Sequence, residues 1–426
     1  MTNLLHKVRS SDFLKNSLTL SGGVALAQVL PFLFYPVLGR IFTTEQFGLL
    51  ANLTAITSVL AVLGSGKYES AVLIARDKRE AAALAILSVL LGFATMTVAW
   101  VLLRFVLLQP LSDMLHEPDF GRWVFVCPLA GISIIVFNVY NEWCVREKYF
   151  KPLSVNKIVN ATAITLSKTF LGFAQICAQG LVVGDFVGRV ISAVGCVVRA
   201  WLKDGQTFAR TCWGDVVACA KKFKDFPRFT MPGQLLNTVG QALPVWFITA
   251  FFDKTEAGLF SMAMTIFAIP ISIISTALRD VYRQRANEEY LREGNCLKSF
   301  DKLLRMLLVA GVGALVVFVW FLPVLMKLFL GPQWEVAGQY AQILAPAMVL
   351  SFVSGPLSGL FVVAEKLRPF FYWQVLYAVG TLVSVVVGCW TIGSITGTLV
   401  LFAAVRCVVY AVSIVMTRRY ARGSRS

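Results

Sequence analysis

Three basic residues lie deep inside long apolar stretches of the sequence: Lys168, Arg189 and Arg406. On insertion scales, a charged side chain at the centre of a bilayer costs about 2.5–3.5 kcal/mol, so such residues face water, a partner charge or an anionic ligand. Lysine and arginine are the side chains that bind phosphate groups. The three residues are therefore candidates for a cationic site that faces water, a partner charge or an anionic ligand.

Two of these residues also have a structural interpretation. Asp185 precedes Arg189 by four residues, so the two side chains can form an ion pair on one face of a helix. For Arg406 the alternative is a packing contact with backbone carbonyls. Lys168 and Arg406 have no acidic residue close in sequence, and this absence favours a functional role for both.

The composition places these residues in a polytopic membrane protein. Apolar residues make up 57% and charged residues 15% of the 426 residues, against about 45–50% and roughly 25% in soluble domains. The net charge of +16 comes from basic residues between the apolar runs, so we expect no nucleic-acid partner. Nine cysteines without a CxxC pair predict neither disulfides nor a metal site. No Ser-His-Asp or nucleotide-binding pattern indicates an enzyme.

Twelve apolar runs are long enough to cross a bilayer, which takes about 20 residues. Because backbone amides cannot stay unpaired in lipid, the runs predict an all-α protein with twelve transmembrane helices. They cover residues 17–39, 47–66, 81–103, 122–140, 155–177, 180–200, 232–252, 257–278, 303–326, 341–363, 370–390 and 394–417. Thirty lysines and arginines lie in the connections on one side of these runs and five on the other. By the positive-inside rule, both termini are cytoplasmic.

One sequence pattern occurs twice. Residues 28–49 read QVLPFLFYPVLGRIFTTEQFGL and residues 241–259 read QALPVWFITAFFDKTEAGL, so both begin Gln-x-Leu-Pro and turn through Thr-Glu into Gly-Leu. The copies are six predicted helices apart and therefore run in the same direction. They predict parallel six-helix halves at 1–200 and 232–426 with a ligand site between them, a standard plan of transporters. The joint, residues 201–231, is predicted to be an amphipathic linker whose short helix lies on the cytoplasmic surface, with a solvated linker as the alternative.

Polar residues and prolines within the helices are predicted to belong to the cavity. Pro31 and Pro244 occupy equivalent helices and are predicted hinges, with a static kink as the alternative. An amide that faces lipid is costly, so four amides are predicted to line the cavity: Gln28, Asn52, Asn237 and Gln241. Two cations are predicted at its cytoplasmic mouth: Lys67 and Arg279. A polar stripe on the sixth span is predicted to face the same wet interior: Asp185, Arg189, Ser192, Cys196 and Arg199.

Four short motifs follow one another between residues 38 and 84. In LGRIFTTEQFGLLANLTAITSVLAVLGSGKYESAVLIARDKREAAAL, these are Phe47-Gly48, Tyr68-Glu69, Asp77-Lys78 and Glu80-Ala81. Together with residues 146–158 and the spacing of the twelve runs, they resemble the polysaccharide flippases of the multidrug/oligosaccharidyl-lipid/polysaccharide (MOP) exporter superfamily, which include the Wzx-type O-antigen flippases. The resemblance covers essentially the whole chain.

The resemblance implies two helical bundles that form a V around a central cavity. It implies translocation of an undecaprenyl-pyrophosphate-linked oligosaccharide from the inner to the outer leaflet of the bacterial cytoplasmic membrane by alternating access. Membrane lipids are expected as partners, together with the polymerase and chain-length regulator of the same pathway. No cofactor is expected. A gradient of H⁺, Na⁺ or substrate, or the membrane potential, is the expected drive, and Asp185 is then the candidate coupling group.

Two other transporters of the same superfamily stay open as alternatives. An ion-coupled multidrug exporter typically places carboxylates in its cavity, whereas this sequence offers Asp185 and several cations there. A lipid II flippase also carries a pyrophosphate lipid, but such proteins usually have more than twelve spans. A membrane scaffold or a polysaccharide polymerase is disfavoured, because a polymerase should have a large external loop and the longest external connection, residues 104–121, is short.

Overall fold

The protein is an all-helical membrane protein, as the sequence predicts. A computed structural model describes residues 2–115, 117–118, 120–123, 125–174, 179–364 and 366–423, and this part of the chain contains helices and loops without strands. Ten of its helical segments are long and apolar enough to cross a membrane. The predicted fold class, an all-α polytopic membrane protein, is confirmed.

The helices are numbered in chain order. The first nine are α1 (Thr2–Ile41), α2 (Thr44–Ser65), α3 (Tyr68–Ala71), α4 (Lys78–Phe105), α5 (Leu108–Met114), α6 (Val126–Arg146), α7 (Phe150–Ala174), α8 (Gly180–Ala209) and α9 (Trp213–Lys222). The others are α10 (Met231–Phe251), α11 (Lys254–Glu293), α12 (Leu297–Phe318), α13 (Leu322–Leu330), α14 (Glu335–Leu357), α15 (Leu360–Val363), α16 (Leu367–Val387) and α17 (Ile395–Ala421). Short 3₁₀ turns lie at Val72–Ile74, Phe120–Arg122, Val319–Phe321 and Pro332–Trp334, and π-helical turns at Phe226–Thr230 and Gly388–Ile392.

The chain divides into two compact units. Unit 1 consists of Met1–Phe42 and Asn52–Val239, and unit 2 of Thr43–Ala51 and Gly240–Ser426. The chain therefore passes from unit 1 to unit 2 between α1 and α2, returns to unit 1 within α2, and enters unit 2 again within α10. The division into six-helix halves, with a linker at 201–231, stays a prediction.

Two predicted spans, 155–177 and 232–252, correspond to helices that are too polar to count among the ten apolar segments. They are α7 and α10. Lysines and asparagines in α7, such as Lys168, and amides in α10, such as Gln241, lower the mean hydropathy of these helices. A helix that buries its polar side against neighbouring helices can carry such residues. The number of twelve transmembrane helices stays a prediction.

Helices α4 and α11 begin with the same cap. The Asp77 carboxylate accepts a hydrogen bond from the backbone N–H of Glu80 at 2.7 Å, and Asp253 accepts one from the N–H of Glu256 at 2.7 Å. An aspartate at this position satisfies a free amide of the first turn, and the following glutamate interacts favourably with the helix dipole. The local sequence therefore fixes where both helices start.

The repeated turn of the sequence packs against its own copy inside unit 2. Gly48 and Gly258 are each the fifth residue of their helices, α2 and α11. A Cβ atom at Gly48 would overlap the carbonyl oxygen of Lys254, and one at Gly258 would overlap the carbonyl oxygen of Thr44. Each glycine thus meets the first carbonyl of the other helix, so the two helix starts cross at a distance that only glycine permits.

Side chains around this crossing hold the two helix starts together. The Lys254 ammonium lies 2.9 Å from the Glu45 carboxylate. Nearby, the Tyr340 hydroxyl donates to the Glu256 carboxylate. The ring of Phe47 meets the buried Trp334 edge-on, with 5.0 Å between ring centroids. Polar and aromatic contacts therefore surround the glycine pair.

The predicted joint contains the expected short helix. Helix α8 continues to Ala209, and α9 follows at Trp213–Lys222. Three residues of the predicted apolar face are buried against α4 and its neighbours: Val216, Cys219 and Phe223. The apolar face of the joint is thus covered by its own unit.

Candidate functional site

Helices α7 and α8 approach each other closely because α8 carries a glycine at every fourth position. A Cβ atom at Gly184 would lie 2.5 Å from the Cα of Lys168, and one at Gly188 would overlap the backbone of Ile164. At Gly180 the nearest atom is the Leu171 carbonyl oxygen, 3.1 Å away. Small residues at this spacing allow helices in a membrane to pack backbone to backbone. The spacing of these glycines in the sequence is a signal for close packing of α8 against α7, and it was missed in the sequence analysis above.

The close packing brings Lys168 of α7 to the acidic residue of α8. The Lys168 ammonium lies 2.7 Å from one oxygen of Asp185, and the Nε of Arg189 lies 2.5 Å from the other. The exposed fractions of the three side chains are 15%, 11% and 21% in that order. One carboxylate is therefore shared by two cations in a largely buried position, and one positive charge is left uncompensated within the triad.

The triad confirms one expectation and corrects another. The Asp185–Arg189 ion pair expected from the four-residue spacing is present. The interpretation of Lys168 as a lysine without an acidic partner is wrong, because its partner comes from the next helix rather than from nearby sequence. In a poorly hydrated site the residual charge acts more strongly than it would in water. The Lys168–Asp185–Arg189 triad can therefore still attract an anion.

A second polar cluster continues along α8 from the triad. The Nη2 of Arg199 donates to the side-chain oxygen of Asn156 at 2.9 Å, and its Nε donates to the Gly195 carbonyl at 2.9 Å. The side-chain nitrogen of Asn156 donates in turn to Asn141 at 2.9 Å. The predicted polar stripe of α8 therefore includes Arg199, which is hydrogen-bonded to α7. The buried residues of the stripe, such as Ser192, face neighbouring helices.

Arg406 lies in α17 within unit 2, enclosed by aromatic side chains. It is 5% exposed, and its guanidinium carbon lies 4.6 Å from the ring centroids of both Tyr377 and Phe402. Among the described residues its Nε has no hydrogen-bond partner and no carboxylate lies within ion-pair distance. The contacts that surround it are thus cation–π interactions, each worth about 2 kcal/mol or more when desolvated. Ligand binding by Arg406 stays a prediction.

The two cations predicted at the cytoplasmic mouth belong to different units. In unit 1, Lys67 lies 3.0 Å from the buried carboxylate of Glu69. Arg279 is an exposed residue of α11 in unit 2, and its side chain lies next to Gly359. Lys67 therefore has an acidic partner that lies two residues away in sequence. The guiding role of both cations stays a prediction.

The predicted amides and prolines lie in helices α1, α2 and α10, with different degrees of exposure. Asn52 is buried, Gln28 and Asn237 are half-buried, and Gln241 is exposed. Neither Pro31 in α1 nor Pro244 in α10 ends its helix. The roles as cavity lining and as hinges stay predictions.

The Asp-Lys and Glu-Ala motifs fasten α4 to the joint. Lys78 lies 2.5 Å from the buried carboxylate of Asp204, which also accepts a bond from the Trp143 indole at 2.9 Å. Arg79 forms an ion pair with Asp215 at 2.8 Å, and Glu80 forms one with Lys222.

The Asp215 carboxyl accepts a hydrogen bond from the backbone N–H of Cys212 and another from Arg79. Both bonds lower the pKa of this carboxyl, so the Arg79–Asp215 pair is charged at neutral pH.

The fold is shared with transporters of the MOP superfamily. The structure of the lipid II flippase MurJ in an inward closed conformation matches with a TM-score of 0.75, over 95% of this chain and 87% of that one, at 10% identity. An outward-facing multidrug resistance MATE family transporter of the MOP superfamily matches with a TM-score of 0.65, over 96% and 95% of the two chains, at 15% identity. The helical architecture therefore defines the chain as a protein of MOP-transporter fold.

The sequence places the chain in one family with this fold. A model of the family described as polysaccharide biosynthesis protein matches residues 37–339, and the chain belongs to that family. The succinoglycan biosynthesis transport protein ExoT of Rhizobium meliloti (strain 1021) is 23% identical over 393 residues, which cover 91% of this chain and 75% of ExoT. The resemblance seen in the motifs at 38–84 is thereby confirmed.

Proposed function

We propose that this protein is a flippase that moves undecaprenyl-pyrophosphate-linked oligosaccharide repeat units from the inner to the outer leaflet of the bacterial cytoplasmic membrane. The units would serve the synthesis of O antigen, capsule or exopolysaccharide. Membership of the polysaccharide biosynthesis family supports a glycan substrate. The names of the relatives support transport: ExoT is a succinoglycan transport protein, and MurJ is a lipid II flippase.

The observation that carries the proposal is the Lys168–Asp185–Arg189 triad. Two cations share one carboxylate in a largely buried position, so a positive charge is available where a membrane protein would otherwise avoid one. A pyrophosphate that enters a membrane protein needs such a charge, because both phosphates are anionic. The triad would attract the pyrophosphate and release it again, since Asp185 competes for the same cations.

The remaining predicted site residues take supporting roles in this proposal. Arg406 would add positive charge in unit 2, and Lys67 and Arg279 would guide the lipid headgroup at the cytoplasmic mouth. The amides line the path, and Pro31 and Pro244 act as hinges of alternating access. An H⁺ or Na⁺ gradient or the membrane potential supplies the drive, with Asp185 as the coupling group. Both termini lie in the cytoplasm. The polymerase and the chain-length regulator of the same pathway act on the repeat units after translocation.

The test uses export in a flippase-null strain, measured as surface polysaccharide per inserted molecule. Lys168→Met leaves a neutral Asp185–Arg189 pair and should reduce export at least tenfold. Lys168→Arg keeps the charge and should retain most of it. The double variant Lys168→Met with Asp185→Asn again leaves one positive charge, that of Arg189, and should recover binding of the lipid-linked substrate relative to Lys168→Met alone.

A matched control is Lys327→Met, which removes a lysine from the Lys327–Glu335 ion pair, 2.7 Å long, in unit 2. This variant should export at the wild-type level, because it changes the total charge by the same amount as Lys168→Met but leaves the triad intact. Wild-type export by Lys168→Met would contradict the proposal. So would a double variant that inserts normally but binds substrate no better than Lys168→Met, because net charge at the triad would then not matter.

A lipid II flippase is the second candidate, because the likeness to MurJ has a TM-score of 0.75. Its substrate carries the same pyrophosphate, so the triad does not separate the two functions. Rescue of growth in a strain depleted of its own lipid II flippase would assign that function. Rescue of surface polysaccharide without rescue of growth would assign the repeat-unit flippase.

A further inference from the structure

A groove on unit 1 combines an apolar wall with two lysines. It lies between α4 and α9 and has a volume of about 700 Å³. Leu87, Trp213 and Val217 contribute to its apolar wall, and Lys221 and Lys224 border it. Trp213 is 70% exposed, so its indole is open to contact from outside the protein.

The two lysines of the groove differ from the charged residues around them. Lys222, between them in sequence, pairs with Glu80. Lys221 and Lys224 are exposed and make no ion pair with any residue in the described part of the chain, although Asp225 follows Lys224 directly. The groove therefore presents two uncompensated positive charges beside an exposed indole.

We propose that this groove binds an anionic phospholipid of the cytoplasmic leaflet. Lys221 and Lys224 contact the phosphate and headgroup, and Trp213 and Val217 contact the glycerol and the first part of an acyl chain. Tryptophan is enriched at the headgroup level of membranes. A lysine near an anionic leaflet contributes about 1 kcal/mol. The joint is predicted to lie on the cytoplasmic side, where it meets the inner leaflet.

The combination of charge and indole favours a lipid over free phosphate. Inorganic phosphate would use the lysines but would leave Trp213 exposed. A phospholipid satisfies both parts of the groove, as surface helices with mixed faces do elsewhere. A lipid bound here contacts α9, which is fastened to α4 through the Arg79–Asp215 pair. It would therefore stabilise the joint against α4.

Native mass spectrometry of the full-length protein in detergent tests this site, with phosphatidylglycerol and phosphatidylcholine as probes. The double variant Lys221→Gln/Lys224→Gln should bind phosphatidylglycerol about tenfold or more weakly than wild type. The matched control is Lys148→Gln/Lys151→Gln, which also removes two exposed lysines three residues apart. It should bind like wild type, and phosphatidylcholine should bind weakly to all three proteins.

Three results would overturn the proposal. One is equal phosphatidylglycerol binding by wild type and the Lys221→Gln/Lys224→Gln variant, and another is an equal loss in the control. The third is displacement of the lipid by millimolar inorganic phosphate together with unchanged binding by Trp213→Ala, which would show a phosphate site without a lipid contact. Because the readout is lipid binding, its result does not depend on which glycan the protein exports.

Discussion

Gly48 and Gly258 are each the fifth residue of their helices, and each packs against the first carbonyl of the other helix. The Thr-Glu and Gly-Leu pattern repeated in the sequence is thus a contact surface of the folded chain. Both turns are predicted to lie outside the membrane on the external side. The glycine pair is a candidate for a contact that keeps this side closed in the proposed alternating-access cycle.

Replacement of either glycine by alanine is expected to prevent this packing. The added methyl group would overlap a backbone carbonyl that cannot move aside, and overpacking of this kind costs about 1–3 kcal/mol or more. Gly48→Ala and Gly258→Ala should each lower the melting temperature and abolish export, measured by thermal-shift and complementation assays. Gly313→Ala is the control, because a Cβ atom there meets nothing within 4 Å. A Gly48→Ala protein with wild-type stability and export would contradict this role.

Arg406 is expected to matter more for export than for folding. A buried charge without an acidic partner costs free energy, and the Tyr377 and Phe402 rings offset part of that cost. Arg406→Met should therefore change the free energy of unfolding by less than about 1 kcal/mol, while export per inserted molecule falls at least tenfold. Arg406→Lys keeps the charge and should retain partial export. A parallel fall of inserted protein and export in Arg406→Met would instead show that Arg406 mainly holds α16 and α17 together.

The native Cys212 can report the orientation of the joint. It is exposed, whereas the other cysteines in the described part of the chain are buried or half-buried. The basic residues predict that the 201–231 segment is cytoplasmic. A membrane-impermeant maleimide should therefore label Cys212 in inside-out vesicles and not in intact cells, with Cys212→Ser as the control. Labelling of Cys212 from outside intact cells would overturn the predicted topology.

Pro31 is expected to act in transport more than in folding. It lies within α1 without ending the helix, and proline removes one backbone hydrogen bond of a helix. Pro31→Ala should restore that bond, leave the amount of inserted protein nearly unchanged, and slow export several-fold. The same measurements on Pro36→Ala provide a control within the same helix. Equal losses of inserted protein and export in Pro31→Ala would indicate a static kink.

The sequence by itself determined the class of the protein and most of its local structure. The long apolar runs show that the chain belongs in a membrane, because lipid is the environment in which such runs are stable. The runs form helices because backbone amides in lipid need hydrogen-bond partners within the chain. The Asp77 and Asp253 caps and the Asp185–Arg189 pair are local too, since their partners lie three or four residues away. Such contacts can be found by spacing alone.

Tertiary structure decided which distant residues meet. The partnership of Lys168 with Asp185 depends on how closely α7 and α8 pack, and Gly184 and Gly188 set that distance from the side of α8. Arg406 likewise lies between aromatic rings that come from two helices. The repeated turn was visible as a pattern, but the contact between Gly48 and Gly258 depends on the crossing of α2 and α11. A sequence lists its charges and small residues, whereas helix packing determines which of them are neighbours and which charges remain uncompensated.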